Sequence, residues 1–584
     1  MAEIAGISNL KENISKDINV LNHMCNSLSQ KDINSQGYYV KDNILLGYKG
    51  LDSLDEQPVL HRNFVISFDG TLYNRNELGF SHSNLSDAQI VVECIEKSGY
   101  DVIKTFNGAF AFAIWNTKNN ELVLARDHFG IKPIFYSFIN DNLIFSSQIK
   151  AILAHPLIKT KIDSIGICEL FGLGPAHAPA NTVFKDIHEL KSAHYLLFKD
   201  NTIILNKYWE LQNKEHIEDF ETTCDHVKSL LTNAIKRQIP NEPFCTFLSG
   251  GLDSSIITKY ASNMIDGRIN TFSVDYVDND KNFVKSEFQP NSDNYYIDIM
   301  IKNAALKHHD IVIDTPELAD TLEDAMVARN LPSMADVDSS LLLFCKNVKK
   351  DFNIALSGEC ADEVFGGYPW MFKENDLLTF PWSPHLDERQ KVINSSLNIN
   401  LKEYVDLKFK ETLAEIPSDD DKKILTHLNL YWFGKTLIDR SERMGRYNNF
   451  DIRMPFADYE LVEYVWNIPW EMKTKGNREK GLLRDIMKGI LPDEIRERKK
   501  SPYPKTHNPN YLLKVKNMLL EIMNDSDAPI HALINREYVM NVINTDGKSF
   551  TKPWYGQLMT GPQFMAYLIQ INMWLVKYDV KIDM

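Results

Sequence analysis

The 584-residue sequence has no surplus of positive charge: 64 lysines and arginines stand against 79 aspartates and glutamates, a formal charge of −15. A surface of that sign repels phosphate backbones and anionic lipid, so no nucleic-acid or membrane partner is expected. There is no run of about 18 apolar residues, and the first stretch lacks the basic, apolar and small-residue succession of a secretory signal. Neither a membrane span nor export is therefore expected. The seven cysteines, at positions 25, 94, 168, 224, 245, 345 and 360, are odd in number, scattered and without a Cys-x-x-Cys pair. That excludes a zinc ribbon and argues against a disulfide framework; it fits reduced thiols in the cytoplasm.

What is present is the composition of a globular enzyme, with 44% hydrophobic and 24% charged residues. The length is too great for one core and predicts two large domains or about three smaller ones. The opening MAEIAGI reads as a first strand. From about residue 60 to 150, short apolar runs such as FVISFDG and GAFAFAIWN alternate with the turn clusters TKNN and NDN, the pattern of hairpins in a sheet-rich α+β domain. Past about residue 210 the period changes. CDHVKSLLTNAIKRQI places Val227, Leu230, Leu231, Ala234 and Ile235 on one helical face, closed by Pro240. FCTFL, TFSVDY, HDIVIDT and FNIALS then alternate with helical stretches, which implies a parallel doubly wound sheet. The stretch from about 275 to 295 reads as a surface loop, and the chain after about 370 as mainly helical. No repeat or low-complexity tract occurs.

In an open parallel sheet, ligands sit beyond the carboxyl ends of the strands. After FCTFL comes Ser249-Gly250-Gly251-Leu252-Asp253-Ser254-Ser255, then a helix. The glycines admit a ligand close to the backbone, the helix start offers N–H groups to phosphate, and Asp253 is a magnesium ligand by type. The alternative is a plain glycine turn. After FNIALS comes Ser357-Gly358-Glu359-Cys360-Ala361-Asp362-Glu363, whose three carboxylates repel one another unless a cation or a proton offsets them. A solvated acidic loop is the bland alternative there. His308-His309 reads as a helix end before a strand; KKSPYPK, Lys499 to Lys505, reads either as a guard for phosphates or as an ordinary solvated proline loop, the second preferred.

SGGLDSS resembles the pyrophosphate-binding loop of ATP pyrophosphatases, and SGECADEVFGGY the second signature of glutamine-hydrolysing asparagine synthetases. The resemblance covers nearly the whole chain, including ARDHFGIKPIFYS, GLGPAHAPANTVFKDIHEL, DVDSS, RMPFADYELVEYVWNIPWEMKT, EKGLLRD, KKSPYPKTHNP and GQLMTGPQ. It implies an N-terminal four-layer αββα amidotransferase domain over 1–208 and a doubly wound synthetase domain over 209–584. It further implies that Ser249, Gly250, Gly251, Asp253 and Ser254 hold the ATP phosphates. Leu248, Val274, Ser357 and Gly358 would line the nucleoside side, and Asp253 with Asp362 would ligate Mg2+. Lys480 would steady charge at the α-phosphate, and Glu359 would take a proton from the nitrogen nucleophile. From sequence alone Lys480 is as readily an exposed helix lysine.

At the start the resemblance breaks. The family begins Met-Cys-Gly-Ile, and the cysteine attacks glutamine; here Ala2 and Glu3 follow Met1. The family's glutamine-gripping arginine is replaced by Gly50 in Gly47-Tyr48-Lys49-Gly50-Leu51, and the Asn-Gly-Glu of the oxyanion hole by Asp69-Gly70-Thr71. The family's His-Arg-Gly-Pro-Asp falls near Gln30-Lys31-Asp32-Ile33-Asn34. Asp87 alone survives of the amine-binding pair. The expectation is an amidotransferase domain that folds without hydrolysing glutamine, beside a ligase that adenylates a small carboxylic acid, aspartate or an analogue, and passes it to ammonia or an amine. A macrolactam- or β-lactam-type cyclase and a non-catalytic scaffold are the alternatives. A homodimer is left open.

Overall fold

The computed structural model describes residues 2–28, 35–50, 56–282, 292–373, 377–501, 503–504, 506, 508–550 and 553–584. The chain forms two compact units, one of residues 1–163 and 178–210, the other of 164–177 and 211–584.

The first unit holds two six-stranded antiparallel sheets. In one, the opening strand Ala2–Ser8 lies between Asn142–Ser146 and Ile44–Gly50. In the other, Phe64–Leu72 pairs with Gly108–Asn116, which pairs with Glu121–Arg126. Ile4, Leu46, Tyr48, Val65, Trp115, Leu124 and Phe145 fill the space between the sheets. Helix Ile18–Leu28 covers the outer face of the first sheet, with Leu21 and Cys25 packed against Gly47. Helix Asp87–Ser98 covers the second through Ile90, Val91, Cys94 and Ile95. The layers run helix, sheet, sheet, helix. The expected turns are present: Asn140 and Asp141, both at positive φ, join Phe135–Ile139 to Asn142–Ser146, as a two-residue hairpin requires.

The second unit is built on a five-stranded parallel sheet in the order Leu306–Ile313, Ile269–Tyr276, Cys245–Phe247, Ile354–Leu356, Asp451–Arg453. The first four are the strands expected; the fifth is a three-residue strand with too little apolar sequence to register as one. Chain order reverses between Cys245–Phe247 and Ile354–Leu356, and such a switch point leaves a crevice at the strand ends. Helix Phe220–Gln238 buries Val227, Leu231, Ala234 and Ile235 and stops before Pro240; Leu230 is only half-buried. The expected loop of 275–295 contains a short helix, Asn279–Asn282, and the start of helix Asp293–Asn303; residues 283–291 lie outside the described part. His308 and His309 lie inside strand Leu306–Ile313, not at a helix end, because Leu306 and Ile311 continue the pairing with Ile269 and Val274. His308 is bonded to Thr271 and Asp310, and burial lowers its pKa, a structural role. Segment 164–177 is tied into this unit by hydrogen bonds: Tyr404 donates to Glu169 and Tyr567 to the Leu170 carbonyl. All seven cysteines are free thiols. Among the described residues no helix is long and apolar enough to cross a membrane.

Candidate active site

The two loops suspected from sequence emerge from the two strands at the switch point and touch. A methyl group on Gly358 would come within 2.9 Å of the Asp253 carbonyl carbon and the Ser254 nitrogen, so only glycine permits the approach. In the first loop Ser254 Oγ lies 3.1 Å from Ser249 Oγ and 3.2 Å from the Ser249 amide, closing a ring at the start of helix Leu252–Met264. Free helix N–H groups and the positive end of the helix dipole face outward there, an anion cradle.

Together they line a cavity of about 250 Å³ that contains Leu248, Ser249, Gly251, Asp253, Ser254, Val274, Ser357, Gly358, Glu359, Asp362 and Lys480. Gly250 does not line it. At φ +70 it makes the turn beneath, packed on Tyr296 and Ile297. Lys480 is buried, not an exposed helix lysine. Its ammonium sits 2.9 and 2.7 Å from the two Asp253 oxygens and 2.7 Å from Asp362 Oδ1. Burial disfavours that charge, but the two carboxylates outweigh it and raise the lysine pKa.

The acidic loop resolves its repulsion in three ways. Asp362 is paired with Lys480 and Lys500, which overcome burial and hold it well below the usual carboxylate range. Glu359 takes a hydrogen bond from Arg440 at 3.0 Å, and the guanidinium lies 4.7 Å from the Tyr503 ring. Glu363 is offset by a proton: burial, reinforced by Asp362, pushes its carboxyl up to about 8, and Tyr368 donates to it.

Arg440 and Arg498 were not singled out from sequence, and Lys500 and Tyr503 only as part of KKSPYPK. The KKSPYPK segment borders the site: Lys499, Lys500, Ser501, Tyr503 and Pro504 line the cavity, with Lys499 also exposed. Arg498 fixes its near end by donating to the Ser249 carbonyl at 2.9 Å, and Tyr503 its far end through Ser340. Pro502 and Lys505 lie outside the described residues. The signal was its three lysines, which solvent exposure explains equally well.

The donor set fits a divalent cation. Asp253 and Asp362 supply hard oxygens that already converge on one positive charge, and Mg2+ takes one or two carboxylates and completes its shell with phosphate and water.

In the first unit the structure also gathers the altered residues. Ala2 pairs with Gly50 across the sheet, and its amide donates to the buried Asp69 carboxylate at 3.3 Å. The Tyr48 hydroxyl covers Gly50: a Cβ there would stand 2.3 Å from it. Gly70 follows Asp69 at φ +142. Asp87 accepts from the Leu72 amide at 2.9 Å and lies 3.5 Å from Arg75 Nη1. Glu3 is buried and bonded to Gln148. Cys25 cannot replace a nucleophile, since burial pushes its thiol up to about 12 and leaves almost no thiolate at neutral pH. Residues 30–34 and Leu51 lie outside the described part.

A family model described as asparagine synthase matches residues 226–576, and one described as glutamine amidotransferase domain matches 1–209. The chain is 42% identical to asparagine synthetase [glutamine-hydrolyzing] 3 of Bacillus subtilis, with all of both chains covered. It is 24% identical to asparagine synthetase [glutamine-hydrolyzing] 1 of the same organism over 87% of each chain. To amidase chyE of Penicillium rubens it is 24% identical, over 83% of this chain and 84% of that one.

Proposed function

The chain belongs to the asparagine synthase family, and on that premise we propose that it activates aspartate or a close analogue and takes nitrogen from ammonia or an amine, not from glutamine. Membership makes it a carbon–nitrogen ligase driven by ATP. In the proposed reaction a carboxylate oxygen attacks the α-phosphate, the bond to the β-phosphate breaks, and pyrophosphate leaves. Ser249, Gly251 and Ser254 cradle the phosphates, while Leu248, Val274, Ser357 and Gly358 face the nucleoside. Asp253 and Asp362 would hold Mg2+, which when bound offsets charge on the departing pyrophosphate. Lys480 and Lys500 stand where that charge gathers and need no reorganisation to meet it. The nitrogen then attacks the acyl carbon, AMP departs with the bonding electrons, and Glu359, held by Arg440, takes the proton.

The observation that carries the exclusion of glutamine is the covered Gly50. Where the family places an arginine, the Tyr48 hydroxyl fills the space. Ala2 supplies no thiol, and Asp69 puts a carboxylate where a developing oxyanion needs donors, which raises the barrier.

The test is mass spectrometry of purified protein with MgATP and aspartate, supplied with glutamine, ammonium or no nitrogen, and AMP followed in parallel. Asparagine with ammonium and none with glutamine is expected. Glutamate release from glutamine would overturn the exclusion, and absence of AMP would overturn aspartate as the acid.

A further inference from the structure

The cavity of the second unit has two chemically different ends. One is dense in charge, where Asp253, Asp362, Lys480 and Lys500 meet. The other is reached along helix Gly434–Tyr447, whose Leu437, Arg440 and Ser441 line the cavity at the i, i+3, i+4 spacing of one helical face. Going back from Arg440 to Phe433, which also lines the cavity, covers about 10 Å of helical rise.

The wall around Phe433 is mainly aromatic, and the Lys500 ammonium marks its charged side, 5.2 Å from the Tyr368 ring. Tyr368 meets its ring edge-on at 5.1 Å, with its hydroxyl turned away to Glu363. Gly556 lies so close that an added Cβ would sit 3.4 Å from the Phe433 ring, and Leu558 follows it in the cavity wall. Gln557 adds a neutral amide. Ammonia has no apolar surface to bury against Phe433, Leu437 and Leu558, whereas an organic group carried on the nitrogen does.

We propose that this end is a subsite for the apolar portion of a primary amine, which is the nucleophile of the second half-reaction. The proposal rests on the adenylation reading above. The amine nitrogen enters beside Glu359 and forms a bond to the acyl carbon of the acyl-adenylate. The carbon–oxygen bond to AMP breaks and its electron pair leaves with AMP, while the nitrogen's surplus proton passes to Glu359. The product is an N-substituted amide, and the organic group rests against Phe433, Leu437 and Leu558.

Aspartate-dependent ATP–pyrophosphate exchange by the full chain comes first, since it reports activation without any amine. Benzylamine, whose basicity is close to that of ammonia, is then compared with ammonium by mass spectrometry of the products. The expected result is N-benzyl amide with kcat/KM at least about tenfold above that for asparagine, as hydrophobic pockets commonly discriminate. Leu437→Trp fills the subsite and lowers the benzylamine-to-ammonium ratio at least tenfold; Leu437→Ala shifts preference toward naphthylmethylamine. Exchange with ammonium as the one accepted nucleophile, or a ratio that neither variant moves, overturns the subsite. Absence of exchange overturns aspartate activation itself, and the subsite with it.

Discussion

The two units each bury a carboxylate at the place where chemistry is expected, and they surround it differently. In the second, Asp253 and Asp362 share the Lys480 ammonium, and Lys500 adds a second positive charge. In the first, Asp69 receives the Ala2 amide, a fixed dipole of the backbone. The ammonium carries a full charge on a side chain, whereas the amide is a neutral dipole fixed in a strand. The comparison also separates folding from catalysis. The first unit keeps both sheets and the core between them with alanine at position 2, because Ile4, Tyr48, Val65 and Trp115 pack regardless of what position 2 carries.

The largest expected effect falls on the charged site. Lys480→Met leaves two buried carboxylates facing Lys500 alone, and pyrophosphate release falls at least ~100-fold, as when one transition-state donor is removed. The melting temperature drops as well, because uncompensated buried charge is costly.

Acid should separate the units next. Burial of His128 in the first unit, against Tyr208 and Trp209, drops its pKa to about 3. A folded-state pKa below the unfolded value of about 6.5 means the contribution is complete above that pH and is lost as pH falls toward 3. The cost is about 3 kcal/mol by pH 4.5. Urea titrations followed by a probe in the first unit should show this loss in the wild type, and His128→Phe should flatten it.

A smaller effect is expected from Gly50→Arg. The side chain must displace the Tyr48 hydroxyl, an overpacking cost of about 1–3 kcal/mol, read as a lower melting temperature with pyrophosphate exchange retained. The smallest effect expected is none: Ala2→Cys alone should release no glutamate from glutamine, since Asp69 and the covered Gly50 remain. Measurable glutaminase activity in that variant would erase the contrast between the units.

Much of this was legible in the sequence where the signal is local. Hairpin turns at Asn140-Asp141, the helix stopped by Pro240 and the glycine loop at Ser249–Ser254 depend on a few neighbouring residues. Asp451–Arg453 was not legible, because a three-residue strand has no period to read and exists by pairing with Ile354–Leu356. The histidines at 308 and 309 misled for a related reason, since polar residues on a strand half covered by a helix break the apolar run that marks it. Arg440 lies in a helix whose sequence carries charges along most of its length, so nothing local distinguished it from a solvated face.

The sequence by itself determined which chemical groups the chain owns: two loops at strand ends, no thiol at position 2, no arginine at position 50. These follow from residue identity and spacing of a few positions. Only the tertiary structure decided which charges meet. Lys480 and Asp253 are 227 positions apart, and their pairing depends on the sheet order that brings two strand ends side by side. The same holds for Tyr48 over Gly50: the strand supplies the hydroxyl, and burial between two sheets turns it into the space an arginine would need.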